Sequence, residues 1–236
     1  APGDDFALRM RSQAYRMLDQ YDRSLRDIDA LIAGQPADPK LKLMRVSVLE
    51  QAGRHDEAET DMDALALAQR EDGSILLNQA ALKLERGKAQ EASDILDRAL
   101  PLMSANSQSV LMLRAKASLA LNRIDQAAAD FATIRADGAA ADELNNLCWT
   151  AATAGVLLDQ ALKDCDAALA LKPDTPSLLD SRGRVLLQRG ELDAALAAYD
   201  EALSKAPELP ASLYGRGLVR IAKGQVEEGE ADKAAA

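Results

Sequence analysis

The stretch PSLLDSRGRVLLQRGELDAALAAYDEALSKAPEL, residues 176–209, decides the fold of this 236-residue chain. Apolar residues recur at helical spacing on both sides of a turn at Gly190, and Pro207 ends the second run. The small residues Gly183 and Ala195 stand where two such helices would cross. The stretch therefore predicts two antiparallel helices that contact each other through small side chains.

A small residue equivalent to Ala195 recurs along the chain at steps of 34 or 35 residues. Its seven occurrences are Ser24, Ala58, Ala92, Ala127, Ala161, Ala195 and Gly229. Helices in one globular core have no reason to keep a period, whereas stacked hairpins must each present the same surface to the next. The period therefore predicts an all-α solenoid and favours binding over catalysis.

Residues 176–209 resemble the tetratricopeptide repeat, which has a large residue at position 4, small residues at 8, 20 and 27, an aromatic residue at 24 and Pro at 32. The matching residues are Leu179, Gly183, Ala195, Ala202, Tyr199 and Pro207. The resemblance, to multi-repeat proteins of bacterial type, covers residues 5–236 after a tail at 1–4. It implies a right-handed α-solenoid of about seven repeats and about 14 helices. The expected units are 5–38, 39–72, 73–107, 108–140, 141–175, 176–209 and 210–236, the last incomplete.

The same register predicts where the helices begin and end. Residues that tolerate a positive φ occupy the turns within the units, namely Gly53, Gly87, Asn122, Gly155, Gly190 and Gly224. Pro36, Pro173 and Pro207 follow the second helices. Three residues are expected to cap the helix that follows them, namely Asp38, Asp72 and Asp174.

Charged residues also recur in register. Arg occupies position 7 in five units, as Arg11, Arg45, Arg114, Arg182 and Arg216, and Asp recurs at position 23, as Asp27, Asp61, Asp130 and Asp164. We expect ion pairs between the two helices of a unit. The alternative is a row of Arg side chains that binds acidic ligands.

Composition and motifs argue against several classes of function. The net charge is −10 and no basic run occurs, which disfavours nucleic acid and anionic membrane surfaces as partners. No apolar run is long enough to insert into a membrane. His55 is the only histidine, and it has no Cys nearby, so we expect no metal site, no catalytic triad and no cofactor. The chain is therefore expected not to be an enzyme.

The two cysteines, Cys148 and Cys165, fall at positions 8 and 24 of unit 5 and should face the contact between its helices. They are either two buried thiols or a disulfide. A disulfide requires that the offset of one helical turn still lets the two Cα atoms approach within about 7 Å. The chain begins with Ala rather than Met. These two features favour an exported, periplasmic location over the cytoplasm.

The resemblance implies a concave groove lined by the first helix of each unit. Candidate groove residues are Arg9, Gln13, Met112, Lys116, Asn145, Trp149, Asp180, Arg184, Tyr214 and Leu218. We expect the binding patch at Asn145, Trp149, Arg184 and Tyr214, because Trp, Tyr and Arg commonly anchor interfaces. The alternative is that Trp149 packs against Val156 or Leu157 in the enlarged turn. The Lys–Asn–Lys set with which chaperone-binding relatives clamp a carboxylate is missing.

These observations predict a non-enzymatic adaptor that binds a peptide or protein segment in its groove. The alternative is an accessory domain of a larger enzyme or assembly, which positions partners through its open C-terminal end. Unit 7 lacks a polar capping helix, so we expect either a fragment of a longer chain or contact with a second copy or an attached domain.

Overall fold

The computed structural model describes residues 4–103 and 108–236, and within these residues it contains fourteen α-helices and no strand. The helices are α1 (Asp5–Met17), α2 (Tyr21–Gly34), α3 (Pro39–Gln51), α4 (His55–Ala68), α5 (Gly73–Glu85), α6 (Ala89–Ala99), α7 (Gln108–Ala120), α8 (Ile124–Ala136), α9 (Ala141–Ala154), α10 (Leu158–Leu171), α11 (Pro176–Gln188), α12 (Leu192–Lys205), α13 (Pro210–Ala222) and α14 (Val226–Ala235). A short 3-10 turn, Leu100–Leu102, follows α6. The protein is thus an all-α solenoid of about seven helix-turn-helix repeats, as the sequence predicts.

The chain forms two compact units, Ala1–Leu113 and Arg114–Ala236. In the first unit, α1 packs on α2, α3 on α4 and α5 on α6, and the pairs stack through α2–α3 and α4–α5 contacts. In the second unit, α9 packs on α10, α11 on α12 and α13 on α14. The first helices of successive repeats, α9, α11 and α13, also contact one another there.

The predicted turn residues are confirmed, since all six have a positive φ between 57° and 84°. The first repeat has no Gly or Asn at this place and uses Asp19 instead, at φ 56°. Asp38 and Asp72 cap α3 and α5, as predicted, by accepting backbone N–H groups. The prediction for Asp174 is wrong. Asp174 has a φ of 62° and pairs with Lys205 at 2.7 Å, and Thr175 is the N-cap of α11.

Small residues allow the two helices of a repeat to approach closely. In the first repeat the hydroxyl groups of Ser12 and Ser24 are buried and lie 2.9 Å apart. In the last repeat a Cβ added at Gly217 would lie 2.7 Å from the carbonyl oxygen of Gly229. Larger side chains at these crossing points would force the helices apart, which explains the 34-residue recurrence of small residues.

The aromatic residue at position 24, Tyr199, fills the gap between two repeats. It is 1% exposed and belongs to a core cluster with Leu186, Ala195 and Val219. A Cβ added at Gly183 would lie 2.9 Å from the Tyr199 ring, and one added at Gly215 would overlap it. The ring therefore lies directly against the backbone of α11 and of α13.

The expected ion pairs within repeats are confirmed. Arg11 pairs with Asp27, Arg45 with Asp61 and Arg114 with Asp130. A fourth pair of the same kind, Arg216 with Asp232, was not foreseen. The guanidinium groups of these residues are thus occupied within the protein and do not form a free row for acidic ligands.

A second set of pairs links successive repeats. Arg45 reaches Asp29, Arg182 reaches Asp166 and Arg216 reaches Asp200, each at 2.7–3.0 Å to a residue 16 positions earlier. Gln79 makes the equivalent hydrogen bond to Asp63. Asp recurs 16 residues before these side chains, so the pairs between repeats could also have been predicted from the sequence.

Lys83 is the one buried cationic side chain among the described residues of the first unit. Its ammonium lies 2.5 Å from Glu59 and 2.8 Å from Asp63. Burial alone would lower the pKa of Lys83, but the hydrogen bonds and charges of these carboxylates together raise it. Lys83 therefore stays charged and joins α5 to α4.

Candidate protein-binding site

The first helices α9, α11 and α13 place side chains from three repeats around one cavity of about 440 Å³. Its lining residues are Trp149, Asp180, Arg184, Tyr199, Pro210, Ala211, Tyr214, Gly215, Lys233 and Ala236. Three of the four residues expected in the binding patch, Trp149, Arg184 and Tyr214, line it together. The helical spacing of four residues puts Asp180 and Arg184 on one face of α11, and Pro210 and Tyr214 on one face of α13.

Trp149 and Arg184 form a stacked pair at the edge of the cavity. The central carbon of the Arg184 guanidinium lies 5.8 Å from the centre of the Trp149 ring, which is the geometry of a cation–π contact. Trp149 is 40% exposed and Tyr214 is 47% exposed. Within the described residues, the buried Nε of Arg184 has no hydrogen-bond partner.

Asp180 was expected on the groove surface, but it is 6% exposed. Its carboxylate accepts a 2.6 Å hydrogen bond from the buried hydroxyl of Ser212 on α13. Burial raises the pKa of Asp180, and the hydrogen bond from Ser212 and the charge of Arg184 only partly oppose this effect. Asp180 therefore joins α11 to α13 at the back of the cavity.

Tyr199 lines the cavity from α12, although it was not among the candidate groove residues. Burial raises the pKa of the Tyr199 hydroxyl, and the nearby charge of Asp180 raises it further. The hydroxyl thus remains protonated at neutral pH. Gly215, whose backbone lies against the Tyr199 ring, lines the cavity as well.

The other lining residues were missed for identifiable reasons. Pro210 and Ala211 begin α13, and Lys233 lies on α14, a second helix that the groove rule did not consider. The four-residue spacing of Pro210 and Tyr214 was a usable signal for the first of them.

Asn145 and Leu218 are half-buried and do not line this cavity. Asn145 lies one helical turn before Trp149 on α9. Among the described residues, its buried Oδ1 has no hydrogen-bond partner. Asn145 thus stands beside the stacked pair rather than in the cavity.

The remaining candidate groove residues lie elsewhere. Arg9, Gln13 and Met112 belong to the first compact unit, and Lys116 belongs to the second. Arg9 lies 3.7 Å from the carboxylate of Asp38. Gln13 and Lys116 are exposed, and Met112 is half-buried. None of the four lines the cavity at Trp149.

Cys148, the residue before Trp149, is bonded to Cys165 in the structure. Their Cα atoms lie 5.5 Å apart, so the helical offset does not keep them from pairing. Both residues are fully buried. The bond ties α9 to α10 at the residue next to Trp149.

His55 is exposed, and its Nδ1 lies 2.7 Å from Nη2 of Arg86. No group of His, Cys, Asp or Glu side chains in the described ranges is arranged to hold a metal ion. No described helix is long and apolar enough to cross a membrane.

Family models match much of the chain. A model described as tetratricopeptide repeat matches residues 9–74 and 43–109, and one described as TPR repeat matches residues 183–224. The chain therefore belongs to the tetratricopeptide repeat family. No curated protein matched the sequence.

Solved structures with the same fold support this assignment. A tetratricopeptide repeat protein from Parabacteroides merdae has a TM-score of 0.79 at 17% identity, over 98% of this chain and 91% of that one. The type IV pilus biogenesis factor PilW has a TM-score of 0.58 at 14% identity, over 99% and 92%. Yeast Tom70 has a TM-score of 0.56 at 15% identity, over 92% and 55%. The fold and family are those of a protein–protein interaction scaffold, a fold that is generally non-catalytic.

Proposed function

We propose that the protein is a non-enzymatic scaffold that binds an extended segment of a partner protein in the cavity between α9, α11 and α13. The observation that carries this proposal is the stacked pair of Trp149 and Arg184, which opens onto the cavity together with Tyr214. Exposed large aromatic side chains cost free energy in water, and Trp, Tyr and Arg contribute most to many interfaces.

The size of the cavity fits a small part of a peptide. A volume of about 440 Å³ is within the range of ligand sites and accommodates one or two side chains. Pro210 and Ala211 add apolar surface next to Tyr214. A bound segment would therefore place one or two anchoring side chains in the cavity and extend beyond it.

The surroundings favour a preformed site. The disulfide between Cys148 and Cys165 fixes α9, and the packed Tyr199 ring and the bond from Ser212 to Asp180 fix α11 and α13. A rigid site loses little conformational entropy on binding, which favours affinity. Because packing and hydrogen bonding account for both Asp180 and Tyr199, we assign neither a catalytic role.

The test begins with selection of short linear peptides from a phage-displayed library on the intact protein. Binding of the selected synthetic peptides is then measured by calorimetry with wild type, Tyr214→Ala and Leu171→Ala. Leu171 is the matched control, because it is an exposed apolar residue of the same compact unit that does not line the cavity.

We expect Tyr214→Ala to weaken binding by about tenfold or more, as for an interface anchor, and Leu171→Ala to leave it unchanged. Failure to select any peptide, or equal binding by all three proteins, would overturn the assignment of this cavity as the binding site.

A further inference from the structure

The charge of the cavity differs in sign from that of the whole chain. The protein has a net charge of −10, yet two of the three lining side chains with a formal charge, Arg184 and Lys233, are cations. The third is Asp180, which is buried and bonded to Ser212. Burial raises the pKa of Asp180, while the hydrogen bond from Ser212 and the charge of Arg184 oppose this effect, and the two cations outnumber this single carboxylate among the lining side chains.

Arg184 is the cation whose hydrogen-bonding capacity is unused. A guanidinium carries five N–H donors, and the face of Trp149 offers no acceptor atom to them. The structure shows no hydrogen bond or ion pair from Arg184 to any residue in the described ranges, and its Nε is buried without a partner. Lys233, in contrast, lies 3.1 Å from the carboxylate of Glu230.

Neighbouring Arg residues on α11 and α13, unlike Arg184, have carboxylate partners. Arg182, two positions earlier on α11, pairs with Asp166 at 2.7 Å, and Arg216 on α13 pairs with Asp200 and Asp232. A half-buried guanidinium without an acceptor loses hydration and gains no hydrogen bond in return. A ligand that brings a planar acceptor would recover that loss.

We propose, resting on the function proposed above, that the cavity selects a segment in which a side-chain carboxylate of Asp or Glu lies close to an aromatic side chain. The carboxylate pairs with the guanidinium of Arg184, whose planar fork matches two oxygen atoms. The aromatic ring lies against the exposed faces of Trp149 and Tyr214, beside Pro210.

The carboxylate comes from a side chain rather than from a chain terminus. A site for a C-terminus needs several donors that converge on one carboxylate, and the lining residues supply one guanidinium with unused donors. One guanidinium next to an apolar surface can pair with an acidic side chain, while a neighbouring aromatic side chain of the same segment contacts the apolar surface.

The test uses two synthetic peptide libraries, acetylated and amidated at their ends, with random residues around one fixed Glu or one fixed Gln. Both are offered in competition to wild type, Arg184→Gln, Arg184→Lys and Arg182→Gln, and bound peptides are sequenced by mass spectrometry. Circular dichroism confirms the helical fold of each variant. A third library with Gln fixed and a free C-terminal carboxylate tests the other source of the anion.

We expect wild type and Arg182→Gln to retain the Glu library about tenfold over the Gln library, with Trp, Tyr or Phe enriched within a few positions of the Glu. Arg184→Gln should lose this preference while it keeps the aromatic enrichment, and Arg184→Lys should show part of the preference. This pattern supports the proposal.

Two other outcomes overturn it in distinguishable ways. Bound peptides without preference for Glu, or with preference for the free terminus, would refute the acidic segment while peptide binding itself stood. If the protein retained no peptide from any library, both this inference and the proposed function would fail.

Discussion

The guanidinium of Arg184 covers the indole ring of Trp149, with its central carbon 5.8 Å from the ring centre. The two residues lie on first helices of successive repeats, α9 and α11. Trp149 is also the only tryptophan of the chain, so its fluorescence reports on this one place in the molecule.

Replacement of Arg184 by Gln should make Trp149 more accessible to solvent, because one face of the indole loses its cover. We expect stronger quenching of its fluorescence by acrylamide and a shift of the emission towards longer wavelengths. Arg182→Gln is the control, since Arg182 pairs with Asp166 on the same compact unit. If both variants quenched alike, the stacked geometry would be wrong.

Replacement of Gly215 by Ala should destabilise the protein by about 1–3 kcal/mol, as overpacking of a core does. The added Cβ would overlap the ring of Tyr199, which is 1% exposed and also lies within about 3 Å of the place a Cβ at Gly183 would take. Urea unfolding measures this difference. Gly34→Ala is the control, because no atom lies within 4 Å of a Cβ there. Equal unfolding midpoints for Gly215→Ala and wild type would contradict the packing of Tyr199.

The sequence was sufficient to predict the scaffold because a repeat imposes the same local requirement many times. Small residues at the helix crossings and a positive φ at Gly53 or Gly190 are needed wherever two helices meet in this way. The cap at Asp174 could not be predicted in this way. An N-cap requires extended backbone angles, and the adjacent Thr175 adopts them instead of Asp174.

The site was predictable only in part. Trp149 and Arg184 share repeat position 9 on successive first helices, and Tyr214 lies at position 5 of the next one, so periodicity places them on the same side of neighbouring helices. The burial of Asp180 depends on its bond to Ser212, and the position of Lys233 depends on α14, so both are properties of tertiary packing. The disulfide likewise required knowledge of the distance between α9 and α10.

Acid should weaken the contribution of Asp232 to stability. Hydrogen bonds from Arg216, aided by the charges of Arg216 and Arg220, hold the pKa of Asp232 below its ordinary value of 3.8 although burial opposes them. A lowered pKa in the folded state stabilises the protein above the ordinary pKa, and this stability is lost as the pH falls through the folded value.

Wild type should therefore be more stable than Asp232→Asn at neutral pH. We expect the difference between their urea midpoints to shrink as the pH falls below about 3.8. A difference that stays constant across this range would show that the ion pair with Arg216 does not contribute through charge.

The contribution of Asp180 to stability should depend on pH in the opposite direction. Its pKa is raised in the folded state, chiefly by burial, so its contribution to stability is full below the ordinary value of 3.8 and is lost as the pH rises through the folded value. Asn at this position can still accept the hydrogen bond from Ser212 and carries no charge.

Asp180→Asn should thus match wild type near pH 3 and exceed it in stability near pH 7. Urea unfolding at both pH values measures the comparison, and Asp232→Asn, in which the trend is reversed, is the matched control. Loss of stability by Asp180→Asn at pH 7 would contradict the view that desolvation dominates at this carboxylate.

The disulfide predicts that unfolded, unreduced protein contains no reactive thiol, whereas reduced protein contains two. Because the bond closes a loop with a sequence separation of 17, its reduction should lower the free energy of unfolding by about 3 kcal/mol. Thiol titration in denaturant and unfolding with and without reductant measure these effects. Two thiols in unreduced protein purified without reductant would contradict the bond.

Binding of a partner segment between α9, α11 and α13 can be followed by hydrogen–deuterium exchange of the intact protein, with and without a selected peptide at saturating concentration. This measurement reports on the whole chain at once. We expect slower exchange in the peptides that contain Trp149, Arg184 and Tyr214, with little change in α1–α4. Protection confined to the first compact unit, with none around Trp149, would contradict it.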